Sequence, residues 1–78
     1  MAKNVLVYST PTCHFCIRAK QFLKDSNITF TNFDVSSDQV KADEMIQKSG
    51  QMGVPVIDIE GEIIVGFDKE KIKQVLGL

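Results

Sequence analysis

Two cysteines, Cys13 and Cys16, the only ones in the chain, flank His14 and Phe15 in Thr12-Cys13-His14-Phe15-Cys16. Thiols at this spacing close a small ring, so one sulfur attacks a disulfide and the other resolves the mixed disulfide that results. An apolar run, Val5-Leu6-Val7-Tyr8, precedes the pair, and an amphipathic helical pattern follows it. A helix beginning near His14 puts Cys13 at its amino end, where unpaired amide N–H groups and the positive pole of the dipole favour an anion. Cys13 is therefore the expected attacking thiolate. Cys16 falls one turn in, on the stripe Cys16, Ala19, Leu23 that should face the core, so its thiol should stay protonated and shielded until it resolves.

Other chemistries fit the same residues less well. Adjacent Cys13 and His14 do not readily share one ion, and with Cys16 they supply too few ligands for a tetrahedral zinc site, so no metal is expected. Cysteines that merely pack would have to be buried and inert, against which the helix-start position of Cys13 argues. His14, beside the attacking sulfur, is expected to present an exposed ring to substrate.

The elements that must hold the pair follow from hydrophobic periodicity. Val5 to Tyr8 reads as a strand buried on both faces and ended by Ser9-Thr10-Pro11-Thr12. From His14 to about Asp25, Phe15, Cys16, Ala19, Phe22 and Leu23 recur at helical spacing, with Arg18, Lys20, Gln21, Lys24 and Asp25 opposite. Phe30 to Val35 mixes aromatic and β-branched residues, and so predicts a second strand parallel to the first across a βαβ crossover. Ser36 with Gln39 three residues on offers a capping box for a helix over roughly Ser37 to Ser49, which Gly50 ends and whose inner face carries Ala42, Met45, Ile46 and Ser49. Pro55 opens Val56-Ile57-Asp58-Ile59, and Glu60-Gly61 joins it to Glu62-Ile63-Ile64-Val65 as an antiparallel hairpin. Asp68 then caps a last helix carrying Ile72, Val75 and Leu76. The order βαβαββα predicts an α/β fold, with a four-stranded mixed sheet flanked by three helices.

Size and charge bound the function. The 78 residues make a single domain, 1–78. A domain this small buries only about 60 to 65 % of its extended-chain surface, which predicts a shallow groove and a partner that brings most of the substrate. Apolar content of 44 % and charged content of 24 % are those of an ordinary folded domain, without linker or repeat. A net charge of −1 gives no concentrated basic face for nucleic acid or an anionic membrane. Lys3, Arg18, Lys20 and Lys24, on or near the cysteine-bearing helix, read as a solvated, mildly positive face. The apolar stretch at the amino end is shorter than the roughly 7 to 15 residues of a signal-peptide core, so a cytoplasmic location is expected. In that reducing compartment two cysteines serve better as a working pair than as a structural disulfide. A monomer is expected.

Three segments in order, Val7 to Cys16, Gly53-Val54-Pro55-Val56-Ile57 and Val65-Gly66-Phe67-Asp68, resemble the glutaredoxin branch of thioredoxin-like proteins in its shortest form, over essentially the whole chain. A Cys-x-x-Cys on a βαβ turn points the same way. The resemblance implies a minimal thioredoxin-like fold and thiol–disulfide exchange with disulfide-bearing proteins or glutathione mixed disulfides. It implies a cis Val54–Pro55 bond facing Cys13, with the Val54 backbone pairing to an extended substrate chain. It also implies a substrate or glutathione site at Thr12, His14, Phe15, Val54, Pro55, Gly66, Phe67 and Asp68. Thr10 stands where many glutaredoxins carry lysine, His14 where proline usually follows the first cysteine, and Gly66-Phe67 where a Gly-Gly pair is common. Those departures, with the short carboxy-terminal end, resemble the redoxins that draw electrons from thioredoxin reductase and serve ribonucleotide reductase. Either glutathione or thioredoxin reductase is thus an expected reductant, and a dimer sharing an iron–sulfur cluster through Cys13 and glutathione is a further alternative.

Overall fold

The computed structural model describes residues 4–78. Its elements run β1 (Val5–Ser9), α1 (His14–Asp25), β2 (Thr31–Asp34), α2 (Gln39–Ser49), β3 (Val56–Ile59), β4 (Glu62–Val65) and α3 (Lys69–Leu76). This is the βαβαββα order read from the periodicity. The strands form one sheet in the order β2-β1-β3-β4. β1 pairs in parallel with β2, with Val7 opposite Asn32 and Ser9 opposite Asp34. β3 runs antiparallel to both β1 and β4. The sheet is therefore mixed, as expected, and β1 lies inside it.

Strand alternation divides the core into two layers. Val5 and Val7 of β1 join Ile57, Ile59 and Ile64 on one face, under Ala19 and Leu23 of α1 and Ile72 of α3. Tyr8 and Val56 pack on the other face against Met45 of α2. A β1 that feeds side chains to both layers needs an apolar residue at nearly every position, which is why Val5-Leu6-Val7-Tyr8 reads as a continuous run.

Element boundaries differ from expectation in β1, which runs one residue further, through Ser9, and in β2 and α2. β2 is Thr31–Asp34, one residue shorter at each end than Phe30 to Val35. α2 begins at Gln39, and its N-cap is Asp38, whose carboxylate accepts the Lys41 N–H at 3.2 Å. The Ser36–Gln39 capping box does not form because Ser36 is engaged upstream, donating its N–H at 3.0 Å and its hydroxyl at 2.5 Å to the Asp34 carboxylate. That local Asx-type turn competes with the cap for the same serine. Lys3 of the basic face lies outside the described residues, and among those described no helix is long and apolar enough to cross a membrane.

Candidate active site

The loop after β1 turns through Thr10, whose carbonyl accepts the Cys13 N–H at 3.4 Å, and delivers Cys13 as the N-cap of α1. Cys13 has extended backbone angles (φ −89°, ψ 114°), and its sulfur accepts the Cys16 N–H at 3.2 Å. Sulfur thus occupies the place that a serine or aspartate oxygen takes at most helix starts, with the positive end of the helix directed at it. Negative charge on Cys13 Sγ meets a donor already in position.

Both thiols are free, Cys13 half-buried and Cys16 fully buried. Burial pushes the Cys16 thiol up to about 11, and its hydrogen bond with Cys13 adds to the effect. The two sulfurs therefore sit in unlike surroundings. One is half-exposed at a helix pole, and the other is a protonated thiol in the protein interior.

Opposite Cys13 stands the Val54–Pro55 peptide, which is cis. The Cys13 thiol donates a long contact to the Val54 carbonyl at 4.0 Å. Pro55 is buried, and its carbonyl accepts the Gly66 N–H at 2.8 Å, which ties the end of β4 to this loop. Gly66 has φ +79°, a left-handed conformation that glycine adopts without strain. The structure thus brings Cys13, Cys16, Val54, Pro55 and Gly66 to one end of the sheet.

The remaining expected site residues divide. Thr12 and His14 are exposed beside Cys13. Phe15 is 58 % exposed, so it does not belong to the inward stripe in which the periodicity placed it. It precedes Cys16 by one residue, about 100° around the helix, and its ring faces outward under the Arg18 guanidinium at 6.0 Å. Phe67 is half-buried and packs on the core layer of α1 and α3, its ring 6.1 Å from that of Phe22. Asp68 is the N-cap of α3 and accepts the Lys71 N–H at 3.1 Å.

Sequence reading passed over a polar group at the back of this end. Asp58, 8 % exposed in β3, accepts from Lys48 Nζ at 2.8 Å and from the Gly61 N–H at 2.8 Å. Lys48 also donates to the Tyr8 hydroxyl at 2.8 Å, which in turn donates to Glu44 at 2.5 Å. The available signal was an acid inside a four-residue apolar strand, a position that requires a partner. Among the described residues no group of three or more His, Cys, Asp and Glu is placed to hold a metal ion, and no enclosed pocket is present.

The glutaredoxin family model matches residues 5–64, from β1 through the hairpin, and so includes both cysteines and Val54–Pro55. The chain belongs to the glutaredoxin family. It is 46 % identical over 72 residues to an uncharacterized glutaredoxin-like 8.6 kDa protein in the rubredoxin operon of Clostridium pasteurianum, covering 92 % of this chain and 96 % of that one. It is 37 % identical over 65 residues to glutaredoxin 3 of Escherichia coli, covering 83 % and 78 % respectively. A thioredoxin-like protein of known structure, 33 % identical, superposes with a TM-score of 0.88 over 94 % of this chain and 100 % of that one. The fold of this glutaredoxin-like chain is accordingly thioredoxin-like, and the family's members are thiol–disulfide oxidoreductases.

Proposed function

We propose that the protein reduces disulfides by two successive exchanges, with Cys13 as nucleophile and Cys16 as resolving thiol. The observation that carries this reading is the N-cap geometry: Cys13 Sγ accepts the Cys16 N–H at 3.2 Å and lies 4.0 Å from the Val54 carbonyl, while Cys16 is buried. In the first exchange the Cys13 thiolate attacks one sulfur of the substrate disulfide, and the other sulfur leaves as a thiolate. In the second, Cys16 attacks Cys13, the mixed disulfide breaks and the remaining substrate sulfur departs. Two electrons pass from the dithiol to the substrate, leaving a Cys13–Cys16 disulfide for an external reductant to reopen.

The absence of an enclosed pocket among the described residues supports a macromolecular substrate laid across the surface. Val54 suits that role. Among the described residues its carbonyl accepts only the long contact from the Cys13 thiol and its N–H has no hydrogen-bond partner, so both are available to an extended chain as a sheet edge would be. Gly66, Thr12, His14 and Phe15 complete the contact surface, with the buried Pro55 holding Val54 in place. The reductant is glutathione or thioredoxin reductase, and the protein works as a cytoplasmic monomer.

Reduction of insulin disulfides by the pure protein, coupled in turn to glutathione with glutathione reductase and to thioredoxin reductase, tests the reading. Turnover is expected with at least one system. Cys13→Ser should abolish it, and Cys16→Ser should accumulate a protein mixed disulfide visible by mass spectrometry. Turnover retained in Cys13→Ser overturns the reading. A visible absorption band on anaerobic purification would instead favour the cluster-bridged dimer.

A further inference from the structure

The backbone of Val54 belongs to a segment with few bonds of its own. β3, which follows it, is fixed by pairing on both sides, with Val56 opposite Tyr8 of β1 and Val65 of β4. The approach from α2 is different. Gln51, Met52 and Gly53 are exposed, and among the described residues Met52 and Gly53 make no hydrogen bond. The chain before them is joined firmly to the helix. Gly50 closes α2 with φ +74°, its N–H donating to the Ile46 carbonyl at 2.7 Å. The Ser49 hydroxyl lies 2.7 Å from the Met45 carbonyl and 3.0 Å from the Gln51 carbonyl, and it accepts the Gln51 N–H at 3.3 Å. As far as Gln51, then, the chain moves with the last turn of α2, and where that turn sits decides where the segment bearing Val54 begins.

Apolar packing holds that turn only in part. Of α2, Met45 alone is fully buried, with Ile46 packed partly beside it. Polar contacts do the rest. Earlier in the helix, Glu44 accepts from the Tyr8 hydroxyl, and the Lys41 ammonium lies 4.3 Å from the centre of the Phe33 ring. In the last turn the tie is Lys48, whose ammonium is 2.8 Å from the Asp58 carboxylate of β3 and 2.8 Å from the Tyr8 hydroxyl of β1. Both acceptors belong to buried residues, a setting in which directed bonds are stronger than in water. Lys48 and Asp58 stand on either side of Val54 and Pro55 in the chain, so their ion pair closes the base of the segment that carries them.

We propose that Lys48 is a positioning residue that sets the substrate class: by holding the last turn of α2 on β1 and β3, it keeps the Val54 N–H and C=O arranged for an extended polypeptide that bears the disulfide. This rests on the dithiol reading above and on Val54 as the substrate contact. A small disulfide that reaches Cys13 without pairing to Val54 gains nothing from the arrangement. Without Lys48 the segment samples further arrangements, and the apparent affinity for an extended chain falls in proportion to the fraction of molecules that remains competent. Cys13 keeps its own donor throughout, the Cys16 N–H of α1.

Steady-state kinetics on two substrates, an extended peptide carrying a disulfide and hydroxyethyl disulfide, separate positioning from stability. The reductant is glutathione or thioredoxin reductase, whichever turns the protein over. Lys48→Met should raise KM for the peptide roughly three- to tenfold, as when the competent arrangement falls to between about a third and a tenth of the molecules. The peptide kcat, and kcat/KM for hydroxyethyl disulfide, should stay within about twofold of the wild type. Lys48→Met combined with Asp58→Leu replaces the ion pair by an apolar contact, which restores stability without the directed bonds, and should show the same raised KM. A peptide KM within about twofold of the wild type in the double variant overturns the proposal, as does an equal loss on both substrates in either variant. Equal kcat/KM of the wild type for the two substrates refutes Val54 as the contact, and turnover retained in Cys13→Ser refutes the dithiol reading, each taking the proposal with it. A wild-type preference for the peptide that the double variant keeps in full sinks the proposal alone.

Discussion

At the scale of single residues, the two sulfurs differ because one turn of helix separates a pole from an interior. Cys13 takes the N-cap position with a backbone donor at 3.2 Å, and Cys16 is buried one turn on. Helical periodicity alone predicted this division, since positions 13 and 16 differ only in where the helix begins. It misplaced Phe15, because an apolar side chain at a helix start reads the same whether it faces the core or a partner, and only packing tells the two apart. His14 is the first residue of α1 and is exposed, so a proline there meets no lost hydrogen bond and suits the helix start. His14→Pro should therefore change stability by less than about 0.5 kcal/mol in urea unfolding. The same change alters the surroundings of the Cys13 sulfur, and should move the redox potential by roughly 30 mV or more, a tenfold change in equilibrium constant. Redox titration against glutathione checks this, and an unmoved potential would count against His14 as a tuning residue.

Among the elements, α2 is bound to the sheet by polar as well as apolar contacts. Lys48 reaches β1 through Tyr8 and β3 through Asp58, at 2.8 Å to each. These are neighbouring strands, Tyr8 lies opposite Val56, and Val56 follows Pro55. The cluster therefore fastens the strand leading to Cys13 to the one leaving Pro55. Lys48→Met strands the buried Asp58 carboxylate with only the Gly61 N–H, and should cost about 2–3 kcal/mol in urea unfolding. Adding Asp58→Leu should recover most of that loss. Alkali tests the same cluster. Hydrogen bonds to Asp58 and Tyr8 raise the Lys48 ammonium above its ordinary range, and burial with the Glu44 bond raises the Tyr8 phenol. A raised folded-state value means stability that is fully present below about pH 10, where the unfolded chain titrates, and lost as pH rises through the folded values. Thermal melts should be level from neutrality toward pH 9.5 and fall above about pH 10, and the fall should be smaller in Lys48→Met.

For the whole molecule, the described residues have a radius of gyration of 11.4 Å, close to the about 11.5 Å expected of one compact unit this long. A body of 32 × 23 × 19 Å leaves little depth for a cavity, and none is found among the described residues. On the proposed dithiol reading, a substrate that supplies backbone as well as a disulfide should bind better than a small disulfide. A disulfide on an extended chain, pairing with the Val54 backbone, should be reduced with a kcat/KM about ten- to a hundredfold above that for hydroxyethyl disulfide. That span corresponds to roughly two added hydrogen bonds of about 0.5–1.5 kcal/mol each. Equal values for the two substrates would remove Val54 from the substrate contact.

What the sequence determined was set by short-range physics. Strand and helix order follow from periods of two and 3.6, the helix start from its cysteine, and the family from three segments in order. Only tertiary structure decided which faces those elements turn to one another, because helical spacing fixes a stripe but not what covers it. It turned Phe15 outward, packed Phe67 against Phe22, and gave Asp58 a lysine from a helix that ends seven residues before β3. It also left Lys20 half-buried while Arg18 and Lys24 stayed exposed. In the sequence all three are cations on one helix, and nothing in their spacing alone distinguishes the one that packing partly covers.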